Sequence, residues 1–478
     1  MSAAVDRLTA LDAAFLHIER PGLPIHIGSV GVFEAGPLLD ADGELKLDEL
    51  RAQVEQRLDR LPRLRRRIEW APLGLTQPCW VDDPCFDVAQ QVDAVHLPHT
   101  AGPDGLRHYA EYLMAEPLPR DRPLWHLQFV TGLPDGRVGL LERVHHALVD
   151  GVSGVDVAMV LLDLTPDIEP LTGSEWSPAP PPPAAAMLAG NLWNQLTAPA
   201  RVLRASAGAL RRPSQLARHG LEAATAFGTV LTDGLLAPRS PLNVPVDGVR
   251  QLAWVSTRLD EVKQAGRAHD ATANDVVLAA VAHGLRALLL DRGERIDHDA
   301  VLKILAPVSL RDEGLRGTLG NQVGALLLRL PIGIGDPVER LAAIARATAR
   351  LKRRREATTA SLLLGAADLL PSPLIGRLAM LTEEQRMVNV VVTNVPGPST
   401  PIYCRGARLL EAYPVVPLGG NLTISVAILS YDGALNISIT ADEGHVPDLD
   451  VLRTGIEEGF AAVDATGTPA DPLLHGTA

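Results

Sequence analysis

One run of residues limits what this chain can fold into: Ser177-Pro178-Ala179-Pro180-Pro181-Pro182-Pro183. Proline fixes φ and donates no N–H. The run can therefore continue neither a helix nor a central strand, and it favours an extended polyproline path. It divides the 478 residues into a first half, 1–176, a Pro-rich then helical connector, 177–241, and a second half, 242–478. A chain of this length holds about two to three domains. With 46% hydrophobic and 21% charged residues, both halves can build a core.

Each half mixes helix and strand signals, which makes the expected class α/β. In the first, Leu50, Val54, Leu58 and Leu61 mark an amphipathic helix over Leu47–Leu61. Trp125–Thr131 and Arg137–Val144 read as strands joined by Gly132-Leu133-Pro134-Asp135-Gly136, a hairpin connection. In the second, Ala273–Leu290 reads as a helix and Val388–Val395 as a β-branched strand. Asn421–Leu429 and Ala434–Thr440 flank a hairpin turn at Ser430-Tyr431-Asp432-Gly433. The connector from Ala184 to Leu236 is Ala/Leu-rich and locally basic, with Arg201, Arg204, Arg211, Arg212 and Arg218.

Charge and cysteine content remove several function classes. A net charge of −13 argues against nucleic acid as the main partner, which would need a broad basic surface. Cys79, Cys85 and Cys404 are too few and too scattered for a disulfide framework or a four-ligand zinc site, and they fit a reducing cytoplasm. Met1–Leu16 carries Asp6, Arg7 and Asp12 rather than a continuous apolar stretch, so no signal peptide is expected. No run of about 18 apolar residues suggests a transmembrane helix.

The chemistry concentrates at Arg143-Val144-His145-His146-Ala147-Leu148-Val149-Asp150-Gly151, between a strand and a helix pattern that begins near Ser153. Adjacent residues at a strand end face opposite ways, so only one of the two histidines can face a given cleft. An imidazole takes a proton near neutral pH without prior tuning. Asp150 is placed to brace the loop, and Gly151 frees it of side-chain bulk. Adjacent histidines chelate poorly and HExxH is absent, so no metal is expected. Gly151-Val152-Ser153-Gly154 does not extend to a GxSxG nucleophile elbow, and neither a P-loop nor a GxGxxG fingerprint occurs.

The HHxxxDG string resembles that of a broad acyltransferase group that includes condensation domains and chloramphenicol acetyltransferase-like enzymes. Further strings resemble one family within it, the bacterial wax ester synthase/acyl-CoA:diacylglycerol acyltransferases. These are Pro123-Leu124-Trp125, Asn274-Asp275-Val276-Val277-Leu278-Ala279 and Pro307-Val308-Ser309-Leu310-Arg311. Leu319-Gly320-Asn321, Thr393-Asn394-Val395-Pro396-Gly397-Pro398, Ser430-Tyr431 and Leu11-Asp12-Ala13-Ala14-Phe15-Leu16 belong with them. The resemblance spans nearly the whole chain and is weakest over 171–240.

That resemblance implies two chloramphenicol acetyltransferase-like domains with an active-site tunnel between them. Long-chain acyl-CoA would be co-substrate, with no bound cofactor, and diacylglycerol or a long-chain alcohol would be the acceptor. His146 would be the general base, accompanied by His145, Asp150 and Gly151. Transfer would be direct, without an acyl-enzyme. Triacylglycerol is the first expected product and wax ester the second; a carrier-protein-dependent condensation enzyme is the alternative.

Asn274 opens a helix pattern. It reads equally as a capping residue or as a donor to developing negative charge. Pro123, Leu124, Trp125, Asp275 and Asn394 are candidate substrate-site residues, although the PLW string suits packing better. Arg311 could brace Asp150. Lys352-Arg353-Arg354-Arg355 suits a solvated helix face more than CoA phosphates. The basic connector, with Trp193, Leu196, Val202, Leu203 and Leu210, could lie on an anionic membrane or lipid-droplet surface or pack across both halves.

Overall fold

The computed structural model describes residues 6–72, 76–148, 162–168, 176–187, 236–309, 323–354, 377 and 384–466. The first half runs α1 (Ala10–Ile18), β1 (His26–Phe33), α2 (Leu47–Arg57), β2 (Arg66–Glu69), β3 (Cys79–Asp82), β4 (Val92–His96), α3 (Gly105–Ala115), β5 (Trp125–Thr131) and β6 (Val138–His145). The second begins β7 (Arg250–Arg258), α4 (Leu259–Ala268), α5 (Ala273–Asp291), β8 (Leu302–Ser309), β9 (Val323–Leu330) and α6 (Pro337–Arg354). It ends β10 (Val390–Pro396), β11 (Tyr403–Cys404), β12 (Ala407–Val415), β13 (Ile424–Tyr431), β14 (Ala434–Asp442) and α7 (Leu449–Thr466).

Most expected elements are present, with shifted ends. α2 stops at Arg57 and tightens into a 3-10 turn, because Leu61 precedes Pro62 and residues before proline avoid helical backbone. β6 runs one residue further than expected, so His145 lies in the strand and His146 opens a 3-10 turn. The second hairpin closes with Tyr431 paired to Ala434 across Asp432 and Gly433. Both turn residues have positive φ, 43° and 82°, as a two-residue β-turn of this hand requires.

Two mixed sheets carry the fold. The second has the order β7-β14-β13-β10-β8-β9, with β10 parallel to both β13 and β8. Its inner strand β14 is buried at nearly every position, as expected of a strand covered on both faces. α5 and α7 cover one face. They approach so closely that a Cβ on Gly284 would stand 2.7 Å from the Leu452 carbonyl oxygen, and one on Gly455 would stand 2.8 Å from the Gly284 Cα. Among the described residues, α5 is the one helix long and apolar enough to cross a membrane, and most of that stretch is buried inside the fold.

The first sheet has the order β11-β12-β1-β6-β5-β4. The boundary at 242 places β11 and β12 in the second half, but their hydrogen bonds place them in the first sheet. β12 runs antiparallel to β1, pairing Gly28 with Val415 and Val30 with Tyr413. The same strand reaches the second sheet. Tyr431 donates its hydroxyl to the Leu409 carbonyl (2.8 Å), and Asn436 donates its amide to that of Ala412 (2.9 Å).

α3 makes the second joint. Its Glu111 accepts the Leu252 N–H (2.8 Å) and its Arg107 donates to the Leu252 carbonyl (3.1 Å), occupying backbone groups of the edge strand β7. Arg250 donates to the Pro24 carbonyl (2.8 Å) and to that of Met114 at the α3 C-terminus (3.4 Å).

Of the connector, residues 188–235 lie outside the described residues, as do Arg311, Leu319-Gly320-Asn321 and Arg355. Lys352–Arg354 are the last residues of α6.

Candidate active site

β6 lies between β1 and β5, and its last backbone bonds fix both histidines. The Leu124 carbonyl accepts the His145 N–H (2.9 Å), and the Ile25 carbonyl accepts the His146 N–H (2.9 Å). His145 pairs with His26 across β1. Its ring is buried, 1% exposed, and Nδ1 accepts the Ala147 N–H (3.0 Å). The ring proton is therefore on Nε2, which stands 3.6 Å from Glu19 Oε2. The His146 ring is half-buried and stacks on Phe15, with centroids 4.0 Å apart and planes 24° apart. Among the described residues no side chain hydrogen-bonds it.

α1 supplies both partners. Its start is fixed by a capping box. Thr9 Oγ1 accepts the Asp12 N–H (3.2 Å), and Asp12 Oδ2 accepts the Thr9 N–H (3.3 Å) and hydroxyl (2.7 Å). Its end is held by Arg120, which donates to the Leu16 carbonyl (2.9 Å) and to Glu19 Oε2 (2.6 Å and 3.2 Å). The Ile25 N–H donates to Glu19 Oε1 (3.4 Å).

The local electrostatics favour an uncharged imidazole at 146. Burial pushes its pKa down to about 4 and His145 adds to the shift, while a hydrogen bond with its own main chain opposes it. At neutral pH the ring is a free base. Burial alone would raise the Glu19 carboxyl, but His145 and Arg120 outweigh it and hold it at about 2. His26, buried beside Arg250 and Arg143, is also pushed well down.

Asn274 and Asn394 meet, though they are 120 residues apart: the Asn394 amide donates to Asn274 Oδ1 (3.0 Å). Asn274 is not the cap of α5. That role falls to Thr272, whose hydroxyl oxygen accepts the Asp275 N–H (3.3 Å). Asp275 is 3% exposed. Its Oδ2 accepts from Thr272 N–H (2.9 Å) and hydroxyl (2.6 Å), and its Oδ1 from the Thr348 hydroxyl (2.7 Å). This carboxylate anchors the helix start that carries Asn274.

The PLW string lies beneath the site. Pro123, Leu124 and Trp125 are all buried, and the Trp125 indole N–H donates to the Leu64 carbonyl (2.7 Å). Leu124 serves through its backbone carbonyl, which holds His145. Gly397 lies where a Cβ would stand 2.3 Å from the Ser430 carbonyl oxygen, so the Thr393–Pro398 string ends in a close backbone contact. Asp150, Gly151 and the helix expected from Ser153 lie outside the described residues.

Sequence reasoning missed Phe15, Glu19 and Arg120 as site residues. The available signal was the Thr9-Ala10-Leu11-Asp12 capping box ahead of an apolar run, which marks a helix start. Glu142 was missed too. It is buried, accepts the Ser29 hydroxyl through Oε2 (2.9 Å), and has no described partner for Oε1. Burial lifts its pKa to about 7, with Ser29 opposing. The folded state therefore holds this proton more tightly than the unfolded chain, and the cost of burying the carboxylate grows as pH rises from about 4.5 to 7. Glu142→Gln is expected to stabilise the protein by about 3 kcal/mol above pH 8 and to change little at pH 5. Urea unfolding at both pH values measures the difference.

The comparisons with known proteins agree with this geometry. The family described as "Wax ester synthase/diacylglycerol acyltransferase catalytic domain" matches residues 8–277, and the "WS/DGAT C-terminal domain" matches 319–464. A relative from Mycobacterium tuberculosis, "Probable diacyglycerol O-acyltransferase tgs1", is 32% identical over 96% of each chain. The solved wax ester synthase/diacylglycerol acyltransferase of Marinobacter aquaeolei is 25% identical and covers 96% of this chain and 99% of its own, with a TM-score of 0.68. The first condensation domain of the calcium-dependent antibiotic synthetase, 17% identical over 99% of each chain, shares the fold with a TM-score of 0.58. The expected α/β fold is borne out by these likenesses.

Proposed function

We propose, from the premise that this chain belongs to the wax ester synthase/diacylglycerol acyltransferase family, that it moves a long-chain acyl group from acyl-CoA to diacylglycerol. The observation that carries the mechanism is the state of His146: an uncharged imidazole at the end of β6, stacked on Phe15, with no described side chain hydrogen-bonding its ring.

His146 accepts the proton of the acceptor hydroxyl as that oxygen attacks the thioester carbonyl. The C–S bond then breaks, and the CoA thiolate leaves with the proton that His146 had taken. Triacylglycerol and free CoA are the products. A thioester is already activated, so the protein's work is chiefly to align two substrates and handle one proton. A ring with a depressed pKa is uncharged in nearly every molecule at pH 7. Once protonated it is a good acid toward the departing thiolate.

Asn274 supports the reading from the other half. It sits in the first turn of a 19-residue helix, at the positive end of the helix dipole. Its Oδ1 is occupied by Asn394, which leaves its NH₂ group as the donor for negative charge on the substrates. The chain would thus work on acyl-CoA and a lipid alcohol, with no resident cofactor.

The test is a product screen by mass spectrometry. Purified protein receives labelled palmitoyl-CoA with diacylglycerol, monoacylglycerol and hexadecanol in competition. Labelled triacylglycerol is the expected product. A predominance of wax ester would replace the acceptor assignment. Ester formation only when the acyl group rides on a carrier protein would move the chain to condensation chemistry.

A further inference from the structure

We propose that α1 is the positioning element of the transfer, with Phe15 fixing the ring of His146 and Glu19 fixing the backbone turn that carries both histidines. The inference rests on His146 being the base.

The two residues act by different routes. Glu19 works through the main chain. One carboxylate oxygen receives the Ile25 N–H, and the Ile25 carbonyl in turn receives the His146 N–H. The other faces His145 Nε2 and is gripped by Arg120. The opposite ring nitrogen of His145 holds the Ala147 N–H, the first residue beyond the pair. A single carboxylate thus ties α1, the entry to β1 and the turn after β6 into one unit. His145 takes part as a strut, which accounts for a buried histidine next to the base.

Phe15 works through the ring. Among the described residues the His146 ring has one hydrogen bond, with its own main chain, and no described side chain holds its nitrogens. Among the described side chains, the flat contact with Phe15 is what constrains the ring plane, and with it the direction in which a nitrogen can meet a hydroxyl. Phe15 is itself backed by Leu23, Ile25, Val246 and Leu418. Two of those four come from beyond the connector, so the orientation of the base depends on both halves being docked. The stack also keeps water from one ring face, in line with the lowered basicity of His146. Among the described charged groups, His145 bears on the ring, while Glu19 and Arg120 pair with each other.

The experiment compares Phe15→Leu, Phe15→Tyr, Glu19→Gln and His146→Ala in the full-length protein. Each is read by kcat, KM for palmitoyl-CoA, the pH profile of kcat/KM and the melting temperature. Phe15→Leu keeps apolar bulk but loses the ring face. It is expected to lower kcat by about 10- to 100-fold, as misplacement of a catalytic group does, with KM changed less than about threefold. Its acid limb is expected to move up from about 4 toward the ordinary histidine value.

Phe15→Tyr keeps the stack and is expected to hold most of the turnover. Glu19→Gln, isosteric and uncharged, is expected to lower kcat about tenfold. It provides an independent reading should Phe15→Leu fail to fold. Wild-type kcat and an unmoved acid limb in Phe15→Leu, with His146→Ala inactive, overturn the positioning role and leave the base in place. An active His146→Ala overturns the base assignment itself.

Discussion

Replacing His146 by alanine is expected to lower turnover by about 10²- to 10⁴-fold, the loss that follows removal of a general base. Folding should survive. The ring is half-buried, stacks on one side, and gives no hydrogen bond to a described side chain, so truncation strips no described side chain of its partner. Stability should even become less sensitive to acid. The His146 pKa is about 4 folded against 6.5 unfolded, so the unfolded chain binds the proton more readily between those values. Wild-type stability therefore falls as pH drops from 6.5 toward 4, and the alanine variant lacks that contribution.

His145→Ala should behave differently. It removes the acceptor of the Ala147 N–H and a partner of Glu19 inside the protein, so melting temperature should drop along with rate. Steady-state kinetics and thermal unfolding of both variants separate the roles. A mild His146→Ala beside a folded but inactive His145→Ala would reverse them.

Trp125→Ala is expected to cost about 3–5 kcal/mol, the usual loss for a large aromatic truncated in a core. Domains of this kind hold only about 5–15 kcal/mol in all. The indole is 2% exposed in the core beneath the first sheet, among residues that include Leu64, Leu127 and Val144. Its loss also strips the Leu64 carbonyl of its donor. The urea midpoint should fall strongly, while KM for acyl-CoA should stay near the wild-type value in whatever fraction remains folded. A raised KM with an unchanged midpoint would instead place Trp125 against substrate. The PLW string was a candidate for substrate contact in the sequence. Its structural position makes it the floor that holds the His145 backbone.

That contrast marks what a sequence reveals. The strands and hairpins were legible because they are local. Period-two alternation and Asp-Gly turns carry their own signal, and β5 runs as expected over Trp125–Thr131. The paired histidines were legible because few structural needs put two imidazoles between a strand and a helix. Phe15 and Glu19 were not, since a phenylalanine and a glutamate on a short amphipathic helix look like ordinary core and end residues. Only the return of β6 to the neighbourhood of α1 gives them a task.

The contact between Asn274 and Asn394 was hidden for the same reason. So was the placement of β12 beside β1, because backbone hydrogen bonds leave no mark on the residues that make them. Asp275 shows the reverse case, a charged residue in a motif whose oxygens are spent on the helix cap and on Thr348 of α6.

The loan of β12 to the first sheet has a consequence for biosynthesis. Gly28 waits for Val415, so a ribosome must deliver nearly the whole protein before β1 gains its second neighbour. Until then that edge stands open to any other extended segment, including another nascent copy. Pairing over such a distance is slow for entropic reasons. Cutting the gene at the proline run should therefore yield an amino-terminal fragment that aggregates by itself and recovers when the carboxy-terminal fragment is made beside it.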